Sequence, residues 1–273
     1  MPSISDLFNL LLFNPMVNAL LALYVLLGYN FGVAVIAFTV IVRVLMLPLT
    51  LRQLHASRKL SQLQPKIQEL QRKYRDDREK LSRETMALYR EHGVSPLGCL
   101  VPTLIQFPIW IGLYQAIVFA LSDRPEGLLE LSKHIYPWLS IVHQAIPLNN
   151  RFLWLDLAHP DPLYILPVLV GLSTWAQQKM MSTPSADPQQ QQMNQMMLIT
   201  MPLMFAFFTI QFPSGLAIYW LVSNVISIVI QYFVTGWGTL EPTVAAGWAG
   251  LRRLWGVFRR RGISPKPATG RRK

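Results

Sequence analysis

Charge is scarce in this sequence: only 14% of its 273 residues are Asp, Glu, Lys or Arg, against about 25% in an ordinary soluble domain. Between Leu7 and Leu51 there is no acid at all and one base, Arg43. A single cysteine, Cys99, excludes an intrachain disulfide framework and a multi-cysteine metal site. The five histidines (His55, His92, His134, His143 and His159) have neither HxxxH nor HExxH spacing, so no metal site and no cofactor is read from them. Phosphate-cradling motifs, a P-loop or GxGxxG, are also missing, which argues against ATP as an energy source. The first residues, "MPSISDLFNLLLFNPM", lack the positive n-region of a cleaved signal peptide and the Arg-rich look of an organellar transit segment. A bacterial plasma membrane is the expected location.

What the chain has instead is apolar length. Hydrophobic residues make up 52% of it, and the runs recur at about 20 residues, the length that spans a bilayer as helix. The expected class is an all-α polytopic membrane protein. Five spans are read, at 31–51, 97–121, 163–181, 198–212 and 216–235. Residues 1–30 are interrupted by Asn9, Asn14, Pro15 and Asn18, a pattern that suits an external interfacial segment at least as well as a span.

Net charge is +11, and its distribution orients the chain. Residues 52–92 hold eleven Lys and Arg, and the tail from Gly236 holds nine against Glu241 alone. The stretch 122–162 holds three bases against five acids. By the positive-inside rule 52–92, the 182–197 loop and the 236–273 tail are cytoplasmic and 122–162 is external, so the chain runs N-out, C-in. Within 52–92, Leu60, Leu63, Ile67, Leu70 and Tyr74 step by three and four, a helical seam that Leu81 and Leu88 of a second helix could meet. Asp76 and Asp77 mark the turn of this hairpin, and Pro65 is expected to kink or restart its first helix.

Polar side chains recur within the spans at helical spacing. Trp220, Asn224, Ser227 and Gln231 share one face of the fifth span, and Thr103, Gln106, Trp110 and Tyr114 one face of the second. Thr174 and Gln178 lie four apart in the third, as do Thr39 and Arg43 in the first. Each stripe alone is explained by hydrogen bonds between helices. Four together, with Arg43, point to a shared polar cavity. With Leu51 at the cytoplasmic end, a rise of about 1.5 Å per residue puts Arg43 about 12 Å deep. A snorkelling arginine that reinforces topology is the competing account, but the bases downstream already set the topology. A charge at a helix centre costs roughly 2.5–3.5 kcal/mol on insertion scales, and none of the five spans has an acid to pair with it. The expectation is a wet cavity that receives an acidic visitor.

Long stretches of the chain resemble the YidC/Oxa/Alb family of membrane protein insertases. "NFGVAVIAFTVIVRVLMLPLT" resembles the family's first core span with its arginine, here Arg43. "LQPKIQELQRKYRDDREKLSRETMALYREHGVSPLGCLVPTLIQFPIWIGLY" is similar to its hairpin and second span, "FLWLDLAHPDPLYILPVLVGLSTWAQQKM" to its external loop and third, and "FPSGLAIYWLVSNVISIVIQ" to its fifth. The resemblance covers about residues 28–235 and points to a short form without the large periplasmic domain. It implies a groove closed outside and open to cytoplasm and lipid, in which Arg43 attracts acidic residues of nascent membrane proteins. Gln178 and Trp220 match groove-lining positions; Thr39, Gln106 and Asn224 join them from the stripes.

Met197, Met201 and Met204 share a face of the fourth span and, with Tyr219, form a candidate slide for apolar segments; ordinary helix packing explains the methionines equally well. Family members use basic tails and the hairpin to meet ribosomes, and work alone or with the Sec translocon. Here Arg259, Arg260, Arg261, Arg271, Arg272 and Lys273 are the candidate contacts, either with ribosomal RNA or with anionic lipid. A transporter or channel is the alternative function, but it predicts internal repeats and paired broken helices, and neither is read here. An intramembrane protease needs His or acids within the spans, and there are none.

Overall fold

The computed structural model describes residues 4–75, 77–93, 101–121, 125–137, 148–182 and 188–240. Cys99 and the basic tail, with Arg259, Arg260, Arg261, Arg271, Arg272 and Lys273, lie outside these residues, as do Asp76 and most of the 182–187 connection.

The chain is helical almost throughout. α1 (Ile4–Phe8) passes through a π-helical turn (Asn9–Phe13) into α2 (Asn14–Leu26). The interruptions seen in the sequence do not break it. Pro15 falls in the first turn of α2, where the wide turn from Asn9 to Asn14 absorbs its missing N–H. Asn18 is buried and fully used: its amide nitrogen donates to the carbonyls of Asn14 and His134, and its oxygen accepts from the Tyr136 N–H at 2.8 Å.

α3 (Phe31–Leu45) starts at Asn30, whose side chain accepts from the Val33 N–H. The expected 31–51 span is not straight. It bends by 60° into α4 (Leu47–Lys73), because Pro48 in the first turn of the new helix has no N–H to give and crowds the turn before it. α4 then runs unbroken through Pro65. That proline is exposed, so water can take the carbonyl it leaves free, and the expected restart does not occur. α5 (Arg78–Glu91) is capped by Asp77, which accepts from the Lys80 N–H, and lies back along α4. Leu63 and Ile67 are buried there against Leu88 and Tyr89.

α6 (Val101–Ala120), α7 (Pro125–His134), α8 (Ile165–Met181), α9 (Pro188–Gln211) and α10 (Ser214–Thr235) complete the helices, with a two-residue hairpin of β1 (Arg151–Phe152) and β2 (Leu155–Asp156). α9 begins inside the stretch expected as a cytoplasmic loop to residue 197. Among the described residues three helices are long and apolar enough to cross a membrane: Asp6–Leu26, Gln191–Gln211 and Ser214–Thr235. The bent α3–α4 pair is a fourth if taken together, and Leu104–Ala120 is a shorter apolar helix.

α10 is the central helix, packed on α3, α8, α4 and α6, whereas α9 leans chiefly on α8. The core gathers at the end of the bundle away from the α4–α5 hairpin. Phe13, Val17, Leu113, Ile117, Leu157 and Leu216 are all buried there. The 148–163 loop seals that end. Ser214 donates its hydroxyl to the Asp156 carbonyl at 2.6 Å, and the N–H groups of Ser214 and Gly215 go to His159 and Leu157. Gly32 is needed for this closure: a Cβ there would stand 2.2 Å from Cγ of Phe152.

Candidate functional site: a cavity beside Arg43

Towards the hairpin end the packing opens into a cavity of about 490 Å3. Six helices contribute. The bend at Met46 is what brings α3 and α4 both to its wall: Arg43 comes from the last turn of α3, and Thr50 and Gln53 from the first turns of α4. α10 supplies a polar row facing them, Tyr219, Ser223, Asn224, Ser227 and Gln231. The row exists because α10 carries small and amide side chains at helical steps on one face and aliphatic ones on the others.

Arg43 is half-buried on this wall and makes no ion pair or hydrogen bond with any described residue. Tyr219 shares the cavity wall with it, close enough to act on it electrostatically, and the Tyr219 hydroxyl accepts a hydrogen bond from the Gln106 amide of α6. Asn224 ties α10 to α8, donating to the Ser173 and Thr174 hydroxyls at 3.1 and 2.9 Å. Among the described residues the buried Trp110 indole nitrogen has no partner, and the Ser223 hydroxyl lies beside that of Tyr219.

Aromatic rings limit the cavity towards the loop end. Trp110 of α6 stacks on Trp220 of α10, with centroids 5.9 Å apart and planes 14° from parallel, and Phe212 meets both edge-on. Between α6 and α9 there is no such seal. Phe107 lines the cavity from α6, and Met204 and Phe208 line it from α9, yet Phe107 is 59% exposed and the other two 37% each. These two helices are not packed together, so the wall there is an apolar opening rather than a closed seam.

Of the candidate residues, Arg43, Gln106, Trp220 and Asn224 meet on this cavity, with Tyr219 and Met204. Thr39 does not: it is fully buried and its hydroxyl donates to the Val35 carbonyl one turn back, at 2.6 Å. From α8 the lining residues are Gln177 and Met181, not Gln178. Met197 and Met201 lie further along α9, outside the lining, with Met197 exposed. Thr50, Gln53 and Gln177 were not singled out from sequence. Met46, Thr50 and Leu54 do follow Arg43 at helical steps of three, four and four, but that signal runs on into what reads as hairpin.

The match to known proteins is extensive. Residues 22–239 fit the family model of the 60Kd inner membrane protein. The chain belongs to that family, the YidC/Oxa group. It is 38% identical over 213 residues to the membrane protein insertase MisCA of Bacillus subtilis, a match covering 77% of this chain and 72% of that one. To the membrane protein insertase YidC of Fusobacterium nucleatum it is 37% identical, over 75% of this chain and 86% of the relative. The YidC of Geobacter sulfurreducens is 38% identical, but there the match takes in only 34% of the relative's length. A crystal structure of an active YidC insertase with its first transmembrane domain resolved superposes with a TM-score of 0.57 at 25% identity, over 81% of this chain and 45% of that one. Family and fold together make this a multi-pass bacterial membrane protein.

Proposed function

We propose that the chain is a membrane protein insertase of the bacterial plasma membrane, with five spans in the membrane, the N-terminus outside and the C-terminus inside. A hydrophobic segment with a short polar flank is held back by the several kcal/mol that each charged or unpaired polar group costs in hydrocarbon. The cavity shortens the polar part of that path. The flank enters beside Arg43, where a cation meets an acidic side chain, and exchanges water for the amides of Gln53, Gln106, Gln177 and Asn224. The apolar segment leaves sideways between α6 and α9, against Phe107, Met204 and Phe208. The work is positioning and charge pairing; no bond is made or broken, and the chain is not an enzyme.

One observation carries this reading: a guanidinium without an ion pair among the described residues, on the wall of a cavity lined by amides and hydroxyls together with exposed apolar side chains of α6 and α9. Nascent membrane proteins are the guests. The hairpin and the basic 236–273 tail supply charge for ribosomal RNA during co-translational insertion and for anionic lipid, and the Sec translocon is a further partner for longer clients.

The test compares guests with acidic and neutral N-terminal tails in vesicles containing the full chain. Arg43→Ala should cut insertion of the acidic-tailed guest about tenfold, the equivalent of about 1.4 kcal/mol, and the neutral one far less. Arg43→Lys should recover part of the loss, since it keeps the charge but not the planar fork. Equal losses for both guests, from a protein that remains folded, would contradict the proposal.

A further inference from the structure

We infer that between guests the cavity holds an anionic phospholipid, with its phosphate at Arg43 and its acyl chains leaving between α6 and α9. The inference rests on the reading of this cavity as the guest site and names what fills it when no guest is present.

Three features of the cavity select that occupant. The first is charge: Arg43 faces no carboxylate among the described residues, and an isolated cation in a low-dielectric wall draws in an anion. The second is a set of waiting polar groups. Gln231 is only 3% exposed and lines the cavity, yet its amide makes no hydrogen bond with any described residue. The Ser223 hydroxyl, one helical turn on, sits beside the Tyr219 hydroxyl on the same wall. An amide that opens on the cavity without a protein partner is satisfied by whatever fills it, and phosphate oxygens with a polar headgroup can accept from an amide, a hydroxyl and a guanidinium together.

The third feature is the opening itself. A free phosphate would need only the polar mouth at the hairpin end. The α6 and α9 sides of the cavity are apolar, with Phe107 on one and Met204 and Phe208 on the other, and both helices carry further exposed leucines, Leu104 and Leu203. Polar inside and apolar at the exit is the pattern of a lipid molecule, and about 490 Å3 lies within the range of small-ligand pockets, roughly 300–1,000 Å3. A single cation without a bidentate clamp gives a headgroup that an acidic flank can displace, so the lipid keeps the site filled without blocking it.

The test uses the full chain in vesicles of phosphatidylglycerol and phosphatidylcholine with a trace of photoactivatable phosphatidylglycerol, label positions being read by peptide mass spectrometry. Crosslinks should concentrate on Phe107, Met204 and Phe208, and excess unlabelled phosphatidylglycerol should suppress them several-fold more than phosphatidylcholine of the same chains. An acidic-tailed guest peptide should suppress them too. Arg43→Gln should reduce them several-fold and Arg43→Lys much less, with labelling at the outward Val225 and Val229 unchanged as the measure of intact protein. Equal labelling by photoactivatable phosphatidylcholine, or cavity labelling unaffected by Arg43→Gln, overturns the inference, since lipid would then enter without regard to charge; no labelling at these positions overturns it too and leaves water as the occupant.

Insertion of an acidic-tailed guest into vesicles of phosphatidylcholine alone separates the two claims. Insertion that stays dependent on Arg43 there supports the guest site whatever the lipid result; insertion indifferent to Arg43 removes the guest-site reading itself.

Discussion

Asp161 at the loop end and Arg43 at the cavity are both ionisable groups set into the bundle, and the protein treats them in opposite ways. Asp161 is buried and accepts from three donors: the N–H groups of Leu163 and Leu166 at 3.0 and 2.7 Å and the Trp154 indole at 3.3 Å. It fixes the entry to α8, just where Tyr164 takes a left-handed backbone (φ 56°). Arg43 has no such partner among the described residues, and neither does the Gln231 amide on the same cavity. Partners supplied by the chain make the loop end rigid and dry. Partners withheld at the hairpin end leave groups available to something that comes and goes. The difference teaches that, among the described residues, a buried polar atom left without a partner, the Trp110 indole nitrogen, lines the cavity, where a transient ligand can use it.

Substitutions at the two ends should therefore have unequal effects on stability. The largest belongs to Asp161→Ala, which strands three donors and removes the cap of α8. It should destabilise the protein by about 3 kcal/mol or more, read as a fall in the thermal unfolding midpoint in detergent. A loss of only a few tenths would mean that the loop end is wetter than its hydrogen bonds imply. Gly32→Ala comes next. The new methyl would fall 2.2 Å from the base of the Phe152 ring, where neither α3 nor β1 can yield easily, so about 1–3 kcal/mol of overpacking is expected. Phe152→Ala in the same background should restore part of it. If it restores none, the strain lies elsewhere in α3.

Ser223→Ala is expected at the bottom of the scale. Its hydroxyl lies beside that of Tyr219, which keeps the Gln106 amide as a partner, so deleting it leaves Tyr219 satisfied, and stability should change by less than about 0.5 kcal/mol. A loss comparable to that of Asp161→Ala would erase the contrast between the two ends.

The stripe on α10 and the isolation of Arg43 could be read directly from sequence, because both depend on helical periodicity and charge within one segment. The positions that escaped depend on how helices are rotated against each other. Thr174 and Gln178 share a face, but which flank of α8 turns inward is decided by its packing between α9 and α10, and that choice exposes Gln177 to the cavity. Thr39 lies on the Arg43 side of α3 and is polar, yet a Thr hydroxyl can always be satisfied by its own helix, and here Val35 takes it. The bend at Met46 was hidden for a different reason: the apolar run continues to Leu51, so composition shows no seam where Pro48 makes one. That bend is what turns Thr50 and Gln53 from hairpin residues into lining residues. In the N-terminal segment, Asn14 and Asn18 suggested an interface. The structure uses them instead to hold α7 and the chain beyond it, with Asn14 accepting from or donating to His134 at 2.7 Å.

The central claim is that the polar groups around Arg43 face water and visitors, while those at the loop end face only protein. Single cysteines in a Cys99→Ser background test it directly. They are placed at Gln106, Gln177, Asn224 and Gln231 on the cavity, and at Asn18, Thr39 and Ser214 in the closed regions, and treated with a membrane-impermeant thiol reagent. Because the thiolate is the reacting form and forms readily only where water reaches, the four cavity positions should react. Reagent applied from the hairpin side should suffice, and an acidic-tailed guest should slow the reaction. Asn18, Thr39 and Ser214 should stay unreacted until the protein is unfolded. Unreactive cysteines at all four cavity positions, or equal labelling at the two sets, would contradict the account.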